Sequence, residues 1–122
     1  MIIGLGIDIT PLERIERAYQ RNARFAKRIL TTKEYEKFIT CTEKEKIRYL
    51  AGRFSVKESF SKAYGTGIGA VRLQDIETLS DSRGKPITTV KNFSQKIHVS
   101  ISHSDTDVIS QVILEDLHDN CN

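Results

Sequence analysis

The first ten residues alternate. Ile3, Leu5, Ile7 and Ile9 fall on one face of an extended segment from Ile2 to Thr10, while Gly4, Gly6 and Asp8 fall on the other. That period of two predicts a half-buried strand. Two glycines flanking an acid predict that another element approaches the backbone on their face. Pro11 suits the first turn of a helix, with Thr10 as its cap.

From Glu13 to about Leu30 the period lengthens. Ile15, Ala18, Phe25 and Ile29 step by threes, fours and one double step, as a core face should. Arg14, Arg17, Arg21, Arg24 and Arg28 form a basic ridge about 100° around the same helix or helix pair, with Asn22 as the break between two short helices. A third short helix is expected around Thr32 to Thr40. Thr42-Glu43-Lys44-Glu45 has the spacing of a capping box and opens a long helix reaching Tyr64. Its apolar face is Ile47, Leu50, Ala51 and Phe54. Helical steps carry that face on to Glu58, then Ser61 or Lys62, then Gly65. A core stripe that turns into Glu, Ser and Lys is odd, because charges are rarely buried unless paired or liganded.

After Gly65-Thr66-Gly67-Ile68-Gly69, a loop at the helix end, strands are expected at Asp75 to Leu79, Ile87 to Val90, Ile97 to Ser102 and Val108 to Glu115. Residues 82–86 and 104–107 supply turns. A strand, then helices including one long one, then an antiparallel run of strands makes an α+β domain. With 122 residues, no internal repeat and no Pro-, Gly- or Ser-rich linker, residues 1–122 read as one domain.

Composition narrows the class. Hydrophobic residues are 39% and charged residues 29%, above the disordered range. Asp8 interrupts the early apolar run far short of the ~20 residues of a membrane span, and no basic segment precedes it as in a signal peptide. Cys41 and Cys121 have no CxxC or His partner spacing, so neither a disulfide framework nor a zinc site is indicated. The expectation is a cytoplasmic globular domain. The net charge of +3 hides an asymmetry: residues 13–62 carry 14 basic and 7 acidic side chains, and residues 63–122 carry 5 and 8. The basic half favours encounters with something negative.

Asp8 and Glu58 are the paired carboxylates to weigh. If the long helix packs over Gly4 and Gly6, the two acids converge, and two carboxylates plus phosphate oxygens and waters are how Mg²⁺ is usually held in phosphoryl chemistry. Lys62, one turn beyond Glu58, is placed to contact a phosphate. An ordinary Glu58–Lys62 pair on a solvated helix face accounts for the same spacing. Glycines 65–69 read either as a diphosphate loop or as a helix C-cap and plain loop. His98 and His103 flank Ser100 and Ser102 near a strand end. The arginine ridge is either a solvated face or a docking surface for an acidic partner. A non-catalytic module that binds RNA or an acidic protein, and a hydrolase of nucleotide phosphates, are readings that these residues leave open. No aromatic RNA-binding motif supports the first.

Gly6-Ile7-Asp8-Ile9-Thr10 with Glu13-Arg14-Ile15 resembles the opening motif of the holo-acyl-carrier-protein synthases, small single-domain 4′-phosphopantetheinyl transferases. Arg53 to Ile68 resembles their second motif, RFaxKEAxxKAxGTG, and His98-Val99-Ser100-Ile101-Ser102-His103 the third. Gly84-Lys85-Pro86 also falls in place. The resemblance implies transfer of phosphopantetheine from coenzyme A to a serine of acyl carrier protein, for fatty acid biosynthesis. It implies Asp8 and Glu58 as Mg²⁺ ligands and Lys62 on the phosphates, with Arg53, Gly65, Thr66 and His103 near coenzyme A. It further implies a homotrimer with the site between subunits, and carrier docking on Arg14, Arg17, Arg21 and Arg24. Membrane and nucleic-acid partners are not implied. Two departures stand out: Thr10 occupies a place where larger relatives have a second acid, and Ser55 and Ser59 stand where alanine is common.

Overall fold

A computed structural model describes residues 1–65 and 71–117. Strand β1 (Ile2–Pro11) leads into helices α1 (Leu12–Arg21), α2 (Arg24–Ile29), α3 (Thr32–Phe38) and α4 (Glu43–Tyr64). Strands β2 (Ile76–Ser80), β3 (Pro86–Val90), β4 (Lys96–His103) and β5 (Asp107–Glu115) follow. The α+β class and the order of elements agree with the sequence pattern. The expected single run of C-terminal strands divides into two sheets. β5 is central, with β1 and β4 antiparallel on its two sides, and β2–β3 is a separate hairpin. The chain leaves β3 through Asn92, held in a left-handed turn at φ 61°, before β4 begins.

The helix start read at Thr42 is a capping box. Thr42 Oγ1 accepts from the Glu45 amide, and the Glu45 carboxylate accepts from the Thr42 amide, each at 3.3 Å. Thr31 and Glu34 repeat the arrangement at α3. The basic ridge does break at Asn22, whose side chain accepts from the Arg24 amide at 3.0 Å. The start of α1 differs from expectation. β1 continues through Pro11, so Thr10 lies on the inward face, 1% exposed. Its hydroxyl donates to Asp8 rather than capping the helix. The cap position is Pro11, without a side-chain bond, and the Leu12 amide is satisfied by the Thr106 carbonyl at 2.9 Å.

β1 also turns its faces opposite to a simple hydrophobic-in rule. Gly6, Asp8 and Thr10 are buried, whereas Leu5, Ile7 and Ile9 are 61%, 57% and 62% exposed. The reason is the approach that the glycines allow: α4 lies directly on them, at a distance no larger residue permits. The core follows α4 in two clusters. Leu50, Ala51 and Phe54 pack with Ile15, Ile29 and Phe38, and Val56, Phe60 and Ala63 pack with Ile76, Val112 and Leu114.

Buried among these is an ion pair that no local pattern in the sequence announced. Lys57 and Glu34 are each 0% exposed, with Nζ and Oε1 2.9 Å apart. The ammonium also donates to the carbonyls of Leu73 (2.8 Å) and Ile76, which uses all three of its protons. Glu34 Oε2 accepts from the Thr78 amide at 2.8 Å. Burial pushes the Lys57 pKa down, and Glu34 opposes that shift. Removing one partner leaves the other charge buried and unpaired, a loss of about 3–5 kcal/mol. Glu34→Ala is therefore expected to lower the urea midpoint severely; a midpoint near that of the parent chain would contradict the pairing.

Candidate functional site

The close packing of β1 on α4 creates the site. A Cβ added at Gly6 would stand 2.0 Å from the Ser59 carbonyl oxygen, and one at Gly4 would stand 2.3 Å from that of Ala63. With both positions bare, the next inward residue, Asp8, meets the helix beside Glu58. Asp8 is 9% exposed and Glu58 is half-buried.

Asp8 is tightly held. Its Oδ2 accepts from Thr10 Oγ1 at 2.6 Å and from Ser55 Oγ at 2.9 Å. Lys62 Nζ lies 3.4 Å from Oδ1 and donates to the Ile7 carbonyl at 3.0 Å. Lys62 thus makes its hydrogen bonds on β1, not in the simple helix-surface pair with Glu58. The Glu58 pKa is raised, first by burial and then by the Asp8 charge, while Arg14 and Lys62 pull it down. Two carboxylates that repel one another between two cations form a pocket of hard oxygen donors. Repulsion of this kind is relieved by a divalent cation, and oxygen donors are what Mg²⁺ takes. The residues fit such an ion. Among the described residues no cluster of three or more His, Cys, Asp or Glu gathers to hold a metal by itself, so other oxygens would complete the shell.

Arg53 and His103 stand elsewhere. Five helical positions place Arg53 about 140° around α4 from Glu58. Its Nε donates to the Thr78 carbonyl at 3.1 Å, and its guanidinium lies 4.3 Å from the centre of the Tyr49 ring. Burial pushes the Tyr49 phenol up to about 12, so it is neutral; it donates to the Glu34 carbonyl at 3.1 Å. Arg53, His103, Arg48, Lys37 and Tyr49 line a cavity of about 360 Å³ that lacks Asp8, Glu58 and Lys62. A larger groove of about 870 Å³ lies between α2–α3 and the β2–β3 hairpin, lined by Lys27, Tyr35, Gln74 and Glu77. It contains none of the candidate residues, and its mixed charges select no ligand.

Gly65 ends α4 as a left-handed cap at φ 93°, its amide bonded to the Ser61 carbonyl at 3.0 Å. Thr66 lies outside the described residues. Arg14, Arg17, Arg21 and Arg24 are all exposed along α1 and the start of α2. Arg14 is the one nearest the acids: it acts on Glu58 and lies 5.4 Å from the centre of the Phe54 ring. Arg17 pairs with Glu13. His98 Nε2 is 2.9 Å from Glu115 Oε1 across the β4–β5 ladder.

Ser55 and Ser59, the two serines that stand where alanine is common, point into the interior. Both are 0% exposed and hydrogen-bonded with Ser110. Their spacing of four was visible in the sequence; the arrival of Ser110 opposite Asp8 required the β1–β5 register.

No helix among the described residues is long and apolar enough to cross a membrane. The sequence profile of the 4′-phosphopantetheinyl transferase superfamily matches residues 4–115. A holo-[acyl-carrier-protein] synthase of Latilactobacillus sakei subsp. sakei is 53% identical over 94% of this chain and 98% of its own. The crystal structure of a holo-(acyl-carrier-protein) synthase from Bacillus anthracis in complex with CoA (3′,5′-ADP) superposes with a TM-score of 0.89 at 44% identity, covering 95% of this chain and 98% of that one. A Helicobacter pylori holo-[acyl-carrier-protein] synthase in complex with coenzyme A gives 0.80 at 31% identity, covering 91% and 99%. The glycine-floored strand, the acids it brings together and nearly full-length similarity all lead to one assignment: this chain belongs to the 4′-phosphopantetheinyl transferase superfamily, in its small holo-acyl-carrier-protein synthase family.

Proposed function

We propose that this chain transfers 4′-phosphopantetheine from coenzyme A to a serine hydroxyl of an apo acyl carrier protein. The observation that carries the reading is the meeting of Asp8, Glu58 and Lys62 where β1 crosses α4, in a chain of this family. The serine oxygen forms a bond to the phosphorus bearing the pantetheine arm. The bond from that phosphorus to the bridging oxygen of the diphosphate breaks, adenosine 3′,5′-bisphosphate leaves, and the serine proton is released. Asp8 and Glu58 would hold Mg²⁺, which when bound offsets negative charge on the diphosphate. Lys62, half exposed beside Asp8, adds a cation for phosphate oxygens. We place the reaction in the cytoplasm, within fatty acid biosynthesis.

Intact-mass spectrometry of an apo acyl carrier protein incubated with the chain, coenzyme A and Mg²⁺ tests this directly. The expected result is a gain of one phosphopantetheine group that disappears with chelator. No gain across several carrier proteins overturns the proposal.

The coenzyme A site spans two subunits of a homotrimer in this reading. Two features of the fold support it. Arg53 and His103 lie apart from Asp8 within one chain, and the cavity they share with Arg48 and Lys37 has the charge to hold a phosphate. The exposed face of β1, Leu5, Ile7 and Ile9 with Ile109 beside them, is the apolar surface a second copy would cover. Sedimentation equilibrium is expected to return three chains per particle, and Leu5→Lys to reduce that number and the rate of transfer together. A fully active monomer would exclude the shared site.

The arginine ridge serves in this reading to dock an acidic helix of the carrier. Charge reversal at Arg14 and Arg21 to Glu should raise KM for the carrier at least tenfold, with a far smaller change for coenzyme A, and should flatten the dependence on salt. Equal effects on both substrates count against docking there.

A further inference from the structure

Three buried serines form an ordered chain that ends on Asp8. Ser55, Ser59 and Ser110 are each 0–1% exposed. Ser110 is the register partner of Asp8 on β5, and Ser55 and Ser59 face it from successive turns of α4. The oxygens are close: Ser59 Oγ to Ser110 Oγ is 2.6 Å, Ser110 Oγ to Ser55 Oγ is 2.7 Å, and Ser55 Oγ to Asp8 Oδ2 is 2.9 Å.

Proton counting sets the direction. A carboxylate oxygen only accepts, so Ser55 spends its one proton on Asp8. The contact between Ser55 and Ser110 must then be donated by Ser110, and the 2.6 Å contact between Ser110 and Ser59 by Ser59, which takes that shorter contact over the Ser110 carbonyl 3.1 Å away. The result is a one-way chain from Ser59 through Ser110 and Ser55 to Oδ2, in which each bond polarises the next. Thr10 supplies Oδ2 with its second donor at 2.6 Å. Oδ2 is therefore fully engaged, and Oδ1, which has the Lys62 ammonium at 3.4 Å, is the oxygen with a lone pair left for a further partner.

We infer that Ser55, backed by Ser110 and Ser59, is a positioning residue that fixes the Asp8 carboxylate so that Oδ1 alone is presented to the divalent cation. This rests on the metal role given to Asp8 above. Partners that orient a ligating side chain typically govern metal affinity by 10–100-fold.

Ser55→Ala is a clean probe, because the other hydroxyls stay satisfied. Ser110 can donate to Ser59, and Ser59 to the Ser110 carbonyl, 3.1 Å away. The experiment is Mn²⁺ titration followed by electron paramagnetic resonance, with coenzyme A saturating, on the parent chain and on Ser55→Ala, Ser110→Ala, Ser59→Ala and Asp8→Asn, with thermal unfolding in parallel. Mn²⁺ affinity is expected to fall about tenfold in Ser55→Ala, less in Ser110→Ala and least in Ser59→Ala, with the melting temperature of Ser55→Ala close to that of the parent. Parent binding that is lost in Asp8→Asn but unchanged in Ser55→Ala overturns this inference alone. So does a loss in Ser59→Ala as large as in Ser55→Ala. No Mn²⁺ uptake by the parent, or full uptake by Asp8→Asn, overturns the metal role of Asp8 and this inference with it.

Discussion

Asp8→Asn is expected to lower the rate of phosphopantetheine transfer by about 10³-fold or more while leaving the chain folded. The magnitude follows from the metal role proposed for Asp8: a charged ligand is worth several kcal/mol of charge stabilisation, at 1.36 kcal/mol per factor of ten. The shape is nearly unchanged, so the effect comes from chemistry and not from a cavity. Thr10 and Ser55 both donate to one oxygen of this group, and the amide oxygen of Asn would take that place. Its NH₂ would then point toward Lys62 and Glu58, presenting donors where an acceptor is needed. Removing the charge relieves a repulsion that raises the Glu58 pKa and gives up the ion pair with the half-exposed Lys62, two opposed effects that should leave the metal-free protein folded. A time course of holo-carrier formation with urea unfolding separates the two effects. Transfer within tenfold of the parent would remove Asp8 from the metal role, and a chain that no longer folds would assign it a structural one instead.

The second large effect concerns stability. Gly6→Ala is expected to cost more than about 3 kcal/mol, beyond ordinary overpacking, because the obstruction is backbone. The new Cβ would sit 2.0 Å from the Ser59 carbonyl oxygen and 2.7 Å from the Ala63 nitrogen. Neither atom can rotate away, so α4 must lift off β1 and carry Glu58 away from Asp8. Gly52→Ala gives the opposite sign on the same helix. Its Cβ would meet only Ile101 Cγ2 at 3.9 Å, and a helical Gly→Ala change gains roughly 0.5–1 kcal/mol. Urea midpoints that move in opposite directions support the close approach of β1 and α4. A Gly6→Ala chain as stable as the parent refutes it.

That close approach is legible in the sequence, since Gly4, Gly6 and Asp8 share a face by the period of a strand alone. The start of α4 was legible for a similar reason: Thr42 and Glu45 are three residues apart. The misplaced polarity of Glu58 and Lys62 on a core-facing helix also needed nothing beyond helical geometry. Local spacing was enough for each.

Other features depended on parts of the chain that only folding brings together. Hydrophobicity alone would have put Leu5, Ile7 and Ile9 inside. The packing distance at Gly6 decided otherwise, because a helix can approach a bare backbone more closely than a branched one. Thr10 passed from cap to Asp8 partner because β1 runs one residue further than a helix start at Pro11 implies. Lys57 met Glu34 across 23 positions, and Ser110 met Ser55 across 55. No periodicity reports such pairs, since strand register and helix packing set them jointly. The sequence by itself determined the elements, the acids and the bare strand face. The tertiary structure decided which oxygen of Asp8 is held, which cations stand beside Glu58, and that Arg53 and His103 belong to a separate cavity, because those relations exist only between segments distant along the chain.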